Sequence, residues 1–312
     1  MNFDTVQHPP PKPIAQKDDL EIYTYHAPPI PLTYQNTTNL TFSPTTFTLI
    51  TTTTAAVLVD APLYASSGHD LANWIESTVP GQNLTAIYIT HAHGDHFFAI
   101  PTLQERSPGV KVLATPEVYA HLKQQLEPAF FASFWATLFP DLEAPVLKDI
   151  SILEDLGPSL TFHLDSGHGK HATRYPLHAV EVGEWGHHQL NSPIHPISKK
   201  PLSQEMSCTE TATSIWPRSP TAEPRKQWLQ GIEKVAALKP EVVVPSPALP
   251  GEGYGSGHLD ETREYIQYFE RVLEEAGSWE EVEGASVEAF PERQRGGFIL
   301  RFSAQSFFGV AF

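Results

Sequence analysis

The sequence predicts an α/β fold, in which apolar strands alternate with helices that cover a sheet. Residues 47–50 and 55–59 are β-branched, apolar runs of the kind that pair as neighbouring strands. Residues 84–90 form a third run, whose continuous apolar character is typical of a strand buried on both faces. Between the second and third runs, apolar residues recur at helical spacing over residues 69–79. Strands separated by an amphipathic helix predict a layered α/β architecture.

The length and composition are those of a globular protein with a sizeable core. The chain has 312 residues, of which 40% are hydrophobic and 18% are charged. Four prolines between Pro9 and Pro13 lie among polar residues, so we expect residues 1–20 to be an irregular tail. Residues 21–312 are then expected to form a single domain.

The charge and the cysteine content exclude several classes of function. The 36 acidic and 20 basic residues give a formal net charge of -16, which repels phosphate backbones and acidic membrane surfaces. We therefore expect no nucleic acid and no membrane among the partners. Cys208 is the only cysteine, which excludes an internal disulfide and favours a reducing, cytoplasmic location. The sequence shows no secretory leader and no apolar run long enough to span a bilayer.

A cluster of possible metal ligands directly follows the strand at 84–90. It reads His91-Ala92-His93-Gly94-Asp95-His96. Two histidines spaced two residues apart at a strand end point to the same side, where one metal ion can bind both imidazoles. Histidine is a usual ligand for zinc, and Asp95 and His96 lie close enough to serve a second ion or a metal-bound water. So many potential ligands after an apolar strand favour a metal site over a chance surface cluster.

This motif resembles the His-x-His-x-Asp-His signature of the metallo-β-lactamase superfamily. The resemblance implies a four-layer αββα sandwich, one or two zinc ions between the sheets, and hydrolysis by metal-bound hydroxide. It also implies that Asp60, at the end of the strand at 55–59, supports the metal loop without binding metal. An aspartate after a strand is equally often a plain turn former. His187, in a Gly-His pair after a strand, corresponds to the family's next ligand and completes a three-histidine site with His91 and His93.

The second half of the chain departs from the family pattern. Relatives carry a bridging Gly-Asp, which we do not find, and Glu205, Cys208 and Glu210 are possible substitutes. Pro247 occupies the position of the family's last histidine, and proline cannot bind zinc. His258 lies further along the chain, where a role at the start of a helix is favoured.

The departures change the expected number of zinc ions. His91, His93 and His187 provide a complete site for one zinc with an open fourth position, whereas the second site retains only Asp95 and His96. We therefore expect one tightly bound Zn²⁺, compared with two in intact relatives.

A shift of reading frame is one explanation for the missing ligand. Residues 188–220 contain repeated prolines and no hydrophobic periodicity. With permitted third bases, the codons that lead through Gln204 to Ala212 can be read in a shifted frame as Ala-Gly-Asp-Val-Val-Tyr-Gly-Asp-Cys-His. That reading restores an apolar strand end and a Gly-Asp turn. We therefore predict that 188–220 is translated out of the family's frame, is poorly ordered, and lacks a bridging metal ligand.

The segment at 130–139 is unusually rich in aromatic residues. A core helix is the favoured interpretation, and a wall or lid over a substrate cleft above the zinc is the alternative. Elsewhere we predict strands at 110–113, 161–164, 178–182, 241–244 and 297–302, and helices from about 116, from 223 and over 259–276.

These features predict a zinc-dependent hydrolase of a small carbonyl substrate, namely a thioester, ester, lactone or lactam. In this hypothesis Asp95 is the catalytic residue that orients the nucleophile and accepts its proton. The alternative is a non-catalytic or impaired relative that keeps the fold and one zinc.

Overall fold

The structure is a computed structural model, which describes residues 11–34, 37–42, 44–147, 153–169, 172–185, 187–191, 194–196, 222–246, 253–291 and 297–310. The strands are β1 (Ala15–Lys17), β2 (Leu20–His26), β3 (Ile30–Tyr34), β4 (Thr37–Phe42), β5 (Thr46–Thr51), β6 (Ala55–Val59), β7 (Asn83–Tyr88), β8 (Lys111–Ala114), β9 (Leu153–Asp155), β10 (Thr161–Ser166), β11 (Thr173–Ala179), β12 (Gly183–Trp185), β13 (His187–Asn191) and β14 (Ile194–Pro196). The helices are α1 (Ala65–Thr78), α2 (Ile100–Arg106), α3 (Pro116–Gln125), α4 (Pro128–Ser133), α5 (Trp135–Leu138), α6 (Ala222–Ala237), α7 (Gly257–Glu275), α8 (Trp279–Ala289) and α9 (Gly297–Phe307).

The strands and helices form the four-layer αββα arrangement that the resemblance implies. The central sheet has the order β1-β2-β5-β6-β7-β8-β9, and β6 to β9 run parallel. One core lies between this sheet and helices α1 to α5, and a second lies between it and the sheet β10-β11-β14. A third core joins α6, α7 and α8 to the residues that precede β12.

Strand β6 shows why the central sheet is buried on both faces. Its five residues are all buried, and successive side chains of a strand point to opposite faces. Ala56 and Leu58 belong to the core on the helix side, whereas Val57 and Val59 belong to the core between the sheets. A strand in this position needs apolar residues throughout, which explains the continuous apolar runs in the sequence.

Most of the elements predicted from the sequence are confirmed. The runs at 47–50 and 55–59 pair antiparallel as β5 and β6, and the run at 84–90 contains β7. The helix at 69–79 is α1, and the other predicted helices correspond to α3, α6 and α7.

Two predicted strands near the end of the chain are wrong. Residues 297–302 begin helix α9, which is buried on two sides: Phe298 lies in the core beside α1 to α5 and Leu300 in the core beside α7. A short apolar run buried all round has the same pattern in a helix as in a strand. Residues 241–244 make only an isolated bridge, although Val243 and Val244 are fully buried.

Two stretches predicted to be irregular contain strands. Residues 15–17, inside the predicted tail, pair with β2 as β1. In the stretch 188–220, β13 pairs with β12 and β14 pairs with β11. Pro196 is tolerated because β14 is the last strand of its sheet, where a missing N–H breaks no ladder. Residues 197–221 lie outside the described residues, so the predicted frame shift stays a prediction.

A group of hydrogen-bonded side chains, Asp19, Ser166 and Tyr175, connects the turn between β1 and β2 to the sheet β10-β11-β14, and we call this group the polar clasp. Both carboxylate oxygens of Asp19, in the turn between β1 and β2, accept hydrogen bonds, from the hydroxyls of Ser166 and Tyr175. Burial alone would raise the pKa of Asp19, but the hydrogen bonds from Ser166, Tyr175 and the backbone outweigh it and lower the pKa below its ordinary value of 3.8. Burial, together with the hydrogen bond to Asp19 and its charge, raises the pKa of Tyr175 to about 12. The described residues include no helix long and apolar enough to cross a membrane.

We predict that Asp19→Asn lowers the melting temperature at neutral pH and that the difference from wild type vanishes in acid. A carboxyl whose pKa is lowered by folding stabilises the protein above its unfolded pKa, and this contribution is lost as pH falls through the folded pKa. The difference should therefore shrink as pH falls below the ordinary value of 3.8. Thermal melts between pH 2 and pH 7, on the order of one per unit, measure it. The exposed neighbour Asp18 provides the control Asp18→Asn, and equal effects of the two variants would contradict the clasp.

Candidate metal centre

The possible ligands lie on a buried turn at the carboxyl end of β7. We call residues 91–96 the metal turn; it ends in a short 3-10 helix over Gly94–His96. Its polar side chains are almost inaccessible to solvent, since His91, His93, Asp95 and His96 are between 1% and 5% exposed. Polar groups buried to this degree require partners. The structure therefore brings together all of the site residues predicted in this half of the chain.

Asp60, which follows β6, connects this neighbouring strand to Thr90, just before the metal turn, and to His96 at its end. Because β6 and β7 are parallel, Asp60 leaves the sheet beside Thr90, and its own N–H donates to the carbonyl of Tyr88 at 2.8 Å. One carboxylate oxygen accepts the backbone N–H of Thr90 at 2.8 Å. The other accepts the hydroxyl of Thr90 at 2.8 Å and Nδ1 of His96 at 2.9 Å. Asp60 holds a left-handed backbone conformation (φ 64°), which aspartate tolerates better than most residues.

These hydrogen bonds fix which ring nitrogen of each histidine carries its proton. A carboxylate only accepts hydrogen bonds, so the hydroxyl of Thr90 donates to Asp60 and its oxygen accepts from Nδ1 of His91 at 3.0 Å. In a neutral ring, the lone pair of His91 then lies on Nε2. Nδ1 of His96 donates to Asp60 directly, which puts the lone pair of His96 on Nε2 as well. The carboxylate of Asp60 thus orients both imidazole rings, His96 directly and His91 through Thr90, so that a nitrogen lone pair of each ring is available to a metal ion. Metal-binding histidines are held in the same way, by a hydrogen bond from the other ring nitrogen.

The distances between ligand atoms fit a metal ion. Nε2 of His91 lies 3.1 Å from Nδ1 of His93. Two nitrogens bound tetrahedrally to one zinc are about 3.3 Å apart, given zinc–nitrogen bonds of about 2.0–2.1 Å. Nε2 of His96 lies 3.5 Å from Oδ2 of Asp95. Oδ1 of Asp95 is buried and has no hydrogen-bond partner among the described residues. A cation or a polar ligand would supply the missing partner.

The environment of Asp95 disfavours its negative charge. Burial raises the pKa of its carboxyl above the ordinary value, and this outweighs the opposing influence of His96 and a backbone hydrogen bond; the charge of Asp60 raises it further. Without a compensating positive charge this carboxylate is costly in the buried turn.

A second grouping of ligand atoms is also close enough to hold an ion. Atoms of Asp60, His91 and His96 all lie within 4.8 Å of one another. Both oxygens of Asp60 are already engaged with Thr90 and His96, and a metal bound there would compete with the hydrogen bonds that orient the rings. We therefore assign Asp60 as a positioning residue, in agreement with the role that the resemblance implies.

The structure describes less of the second half of the predicted site. His187 is the first residue of β13, and its backbone pairs with Trp185; its side chain lies outside the described part. Glu205, Cys208, Glu210 and Pro247 also lie outside it.

His258 has the helix-start role predicted from the sequence. It is the second residue of α7, where its ring contacts the carbonyl of Gly253 through Nε2 and Glu261 through Nδ1. These contacts occupy both ring nitrogens away from the metal turn.

The aromatic segment contributes to the core on the helix side of the central sheet. Residues 130–139 form parts of α4 and α5, and Phe131, Trp135 and Phe139 are buried in the core on the helix side of the central sheet. Trp135 lies edge-on to Phe98 with ring centroids 5.3 Å apart, and its Nε1 donates to Gln125 at 2.9 Å. These contacts agree with the favoured interpretation of a core segment, and the alternative of a wall or lid over the zinc cleft stays a prediction.

Gly94 is where this aromatic core meets the metal turn. A Cβ at this position would lie 2.6 Å from the ring of Phe98 and 2.9 Å from the ring of Trp135. Only glycine allows the turn to lie so close to the two rings. The sequence places Gly94 inside the motif, but nothing in it indicates the distant Trp135 as the reason for the glycine.

Residues 40–246 match the family model of the metallo-beta-lactamase superfamily. The chain belongs to the metallo-beta-lactamase superfamily. Among solved structures, a beta-lactamase domain protein from Burkholderia ambifaria is similar with a TM-score of 0.56 and 14% identity, over 94% of this chain and 88% of that one. A metallo beta-lactamase from Hirschia baltica is similar with a TM-score of 0.49 and 15% identity, over 83% and 98% of the two chains. At these identities the structural likeness concerns the fold alone. A search of curated proteins finds no match.

A cleft of about 850 Å³ lies at the opposite end of the parallel strands. It is lined by the first residues of β7 and by Arg106 and Lys111. Ligand sites of parallel sheets lie at the carboxyl ends of the strands. Arg106 is paired with Glu76 and Lys111 with Glu154, so these charges already have partners in the groove. We therefore assign the functional site to the metal turn.

We predict that Gly94→Ala destabilises the protein by about 1–3 kcal/mol and weakens zinc binding, because the added methyl forces the turn away from Phe98 and Trp135. Denaturant unfolding and zinc titration measure the two effects. Gly284→Ala is the matched control, since Gly284 lies exposed in α8 with nothing within 4 Å of the new methyl. It should stabilise the protein by about 0.5–1 kcal/mol. Unchanged zinc affinity in Gly94→Ala would contradict this account.

We predict that Asp60→Asn weakens zinc binding by about 10- to 100-fold, as is typical when a group that orients a metal-binding histidine is lost. The amide nitrogen donates where Thr90 and His96 require an acceptor, so the ring protons move. Competition with a chelator measures the affinity. Asp165→Asn, on an exposed side chain, is the control. An Asp60→Asn protein that binds zinc as tightly as wild type would exclude this positioning role.

Proposed function

We propose that this protein is a zinc-dependent hydrolase of a small carbonyl substrate: a thioester, ester, lactone or lactam. The observation that carries the proposal is the pair of ring nitrogens, Nε2 of His91 and Nδ1 of His93, that lie 3.1 Å apart next to Asp95 in a buried turn. Superfamily membership supports a metal-dependent reaction, and the uncharged nature of the proposed substrates agrees with a chain of net charge -16.

A bound zinc supplies Lewis acidity, which polarises a carbonyl oxygen and makes water more acidic. The chain itself provides three functions. His91 and His93, with His187, would hold the ion. Asp60 keeps the rings in the protonation pattern that binding requires. Asp95 accepts the proton of the attacking water at Oδ1, the atom that has no hydrogen-bond partner in the described part of the chain.

We further propose that one zinc binds tightly. The second position retains Asp95 and His96, and two protein ligands hold an ion weakly compared with three or four. The single cysteine supports a cytoplasmic location for the enzyme, and the substrate is its expected small-molecule partner.

The proposal predicts turnover by the zinc-loaded protein and its loss in Asp95→Ala. Purified protein is loaded with zinc, dialysed, analysed for metal, and assayed on a panel of thioesters, esters, lactones and lactams. We expect one equivalent of zinc, and a fall in kcat of about 10²- to 10⁴-fold in Asp95→Ala, the usual effect of losing a general base.

Asp165→Ala is the control for that experiment, because this aspartate is 69% exposed. It should retain both zinc and activity. If the wild type holds zinc and hydrolyses no member of the panel, the non-catalytic alternative replaces the hydrolase. Two equivalents of zinc after dialysis would contradict the single tight site and would indicate a ligand among residues 197–221 or 247–252.

A further inference from the structure

A cluster of polar side chains interrupts the apolar face between the two sheets. Thr24 and His26 on β2 and Thr46 and Thr48 on β5 form this cluster, which we call the β2–β5 patch. The strand register pairs Thr24 with Thr48 and His26 with Thr46. Side chains directly opposite each other on paired strands share one face of the sheet. The four residues therefore form a compact two-by-two group.

The patch lies where the sheet would otherwise carry apolar residues. On the same face, two residues further along each strand, Ile22 and Ile50 belong to the core between the sheets. Thr46 is 1% exposed and Thr48 is fully buried. Valine would fill the same positions without any polar atom to satisfy. The polar residues therefore require an explanation beyond packing.

Tyr254 crosses the patch from the second half of the chain. Its hydroxyl lies 2.9 Å from Oγ1 of Thr24 and 3.1 Å from Nε2 of His26. Nδ1 of His26 lies 3.4 Å from Oγ1 of Thr46. The ring of Tyr254 is only partly buried, so this network reaches the surface of the protein.

The hydroxyl of Thr48 has no hydrogen-bond partner among the described residues. It is fully buried and lies on the same face as the network around Tyr254. A buried hydroxyl without a partner is unfavourable, and native proteins retain few of them. A polar group of a bound ligand can provide the hydrogen-bond partner that the hydroxyl of Thr48 lacks.

The patch lies at the same end of the sheet as the metal turn. Thr48 pairs with Val59 on β6, and Val59 pairs with Tyr88 on β7, three residues before His91. Two strand spacings, about 10 Å, separate Thr48 from Tyr88, and the three residues from Tyr88 to His91 add an offset of at most about 10 Å along the chain, so the span to the metal turn is about 10–14 Å. One extended small molecule can therefore reach the patch while its carbonyl lies at the metal turn.

We propose that the β2–β5 patch and Tyr254 form a subsite that binds an uncharged hydroxyl or amide group at the far end of the substrate. The inference rests on the proposed hydrolase function and adds to it the class of substrate. Threonine hydroxyls, a phenol and a neutral imidazole all donate and accept hydrogen bonds, as such a group requires. The described residues of the subsite include no lysine or arginine, so they offer no fixed charge to an anionic group. Thr48 lies directly opposite Thr24, which the Tyr254 hydroxyl contacts, so a ligand group that displaces this hydroxyl would lie beside Thr48.

The test compares two phenyl esters on the zinc-loaded protein. Both carry an unbranched acyl chain about 10–14 Å long, matched to the span from the patch to the metal turn, and one of them ends in a hydroxyl. We expect kcat/KM to favour the hydroxylated ester by about three- to tenfold, the value of one hydrogen bond. Thr48→Val should bring the ratio of the two kcat/KM values close to one.

The strand itself provides a matched control. Thr51, also on β5, has a buried hydroxyl without a partner among the described residues, but it lies on the opposite face. Thr51→Val should retain the preference, and both variants should melt at or above the wild-type temperature, since neither loses a hydrogen bond. Tyr254→Phe removes another hydroxyl of the subsite and replaces Thr48→Val if that variant does not fold.

The outcomes separate the subsite from the hydrolase. A wild type without preference, or a Thr48→Val protein that retains it, overturns the subsite. If neither ester is hydrolysed, esters are excluded from the proposed substrates, the panel decides the hydrolase function, and calorimetric binding of the two corresponding phenyl ethers decides the subsite alone. Tighter binding of the hydroxylated ether, lost in Thr48→Val and kept in Thr51→Val, supports it. Equal binding of the two ethers overturns it.

Discussion

The carboxylate of Asp60 accepts hydrogen bonds from Thr90, just before the metal turn, and from His96 at its end, and the geometry of the site depends on these bonds. A fully buried charge is tolerable only when its hydrogen-bonding capacity is used, and Thr90 and His96 use both oxygens. The same negative charge helps to raise the pKa of Asp95, so two buried carboxyls share a small volume. A cation bound to the turn would offset this repulsion. Folding therefore orients the ligands, and metal binding would reduce the repulsion between the two buried carboxylates.

The metal turn could be predicted because its chemistry is contiguous in sequence. His91 and His93 follow the end of β7 by three and five residues, so the strand and the ligands after it can be read from one short stretch of sequence. The supporting role of Asp60 was less certain from the residues, since an aspartate after a strand is equally often a turn former. What decides the role is the parallel pairing of β6 with β7, which brings together residues 30 positions apart.

Long-range packing explains the predictions that failed or stayed open. The aromatic content of 130–139 favours burial and leaves a wall or lid open as an alternative, and the place of Trp135 on the helix side of the sheet follows only from contacts such as that with Phe98. The run at 297–302 is apolar on every side because α9 lies between two cores. Periodicity cannot separate helix from strand in that situation. The threonines of β5 also match ordinary strand propensity, so their role appears only when the face they share is known.

The β6–α1–β7 unit contains Asp60 at one strand end and the metal turn at the other. The hydrogen bonds that Thr90 and Asp60 make to His91 and His96 lie within this strand–helix–strand unit and the turn that follows it. The proposed ligand His187 lies outside this unit. Such an arrangement lets the two halves diverge at different rates: substitutions that remove a later ligand leave the first histidines in place. An ancestral metal site can therefore lose one ion and retain the other without any change of fold.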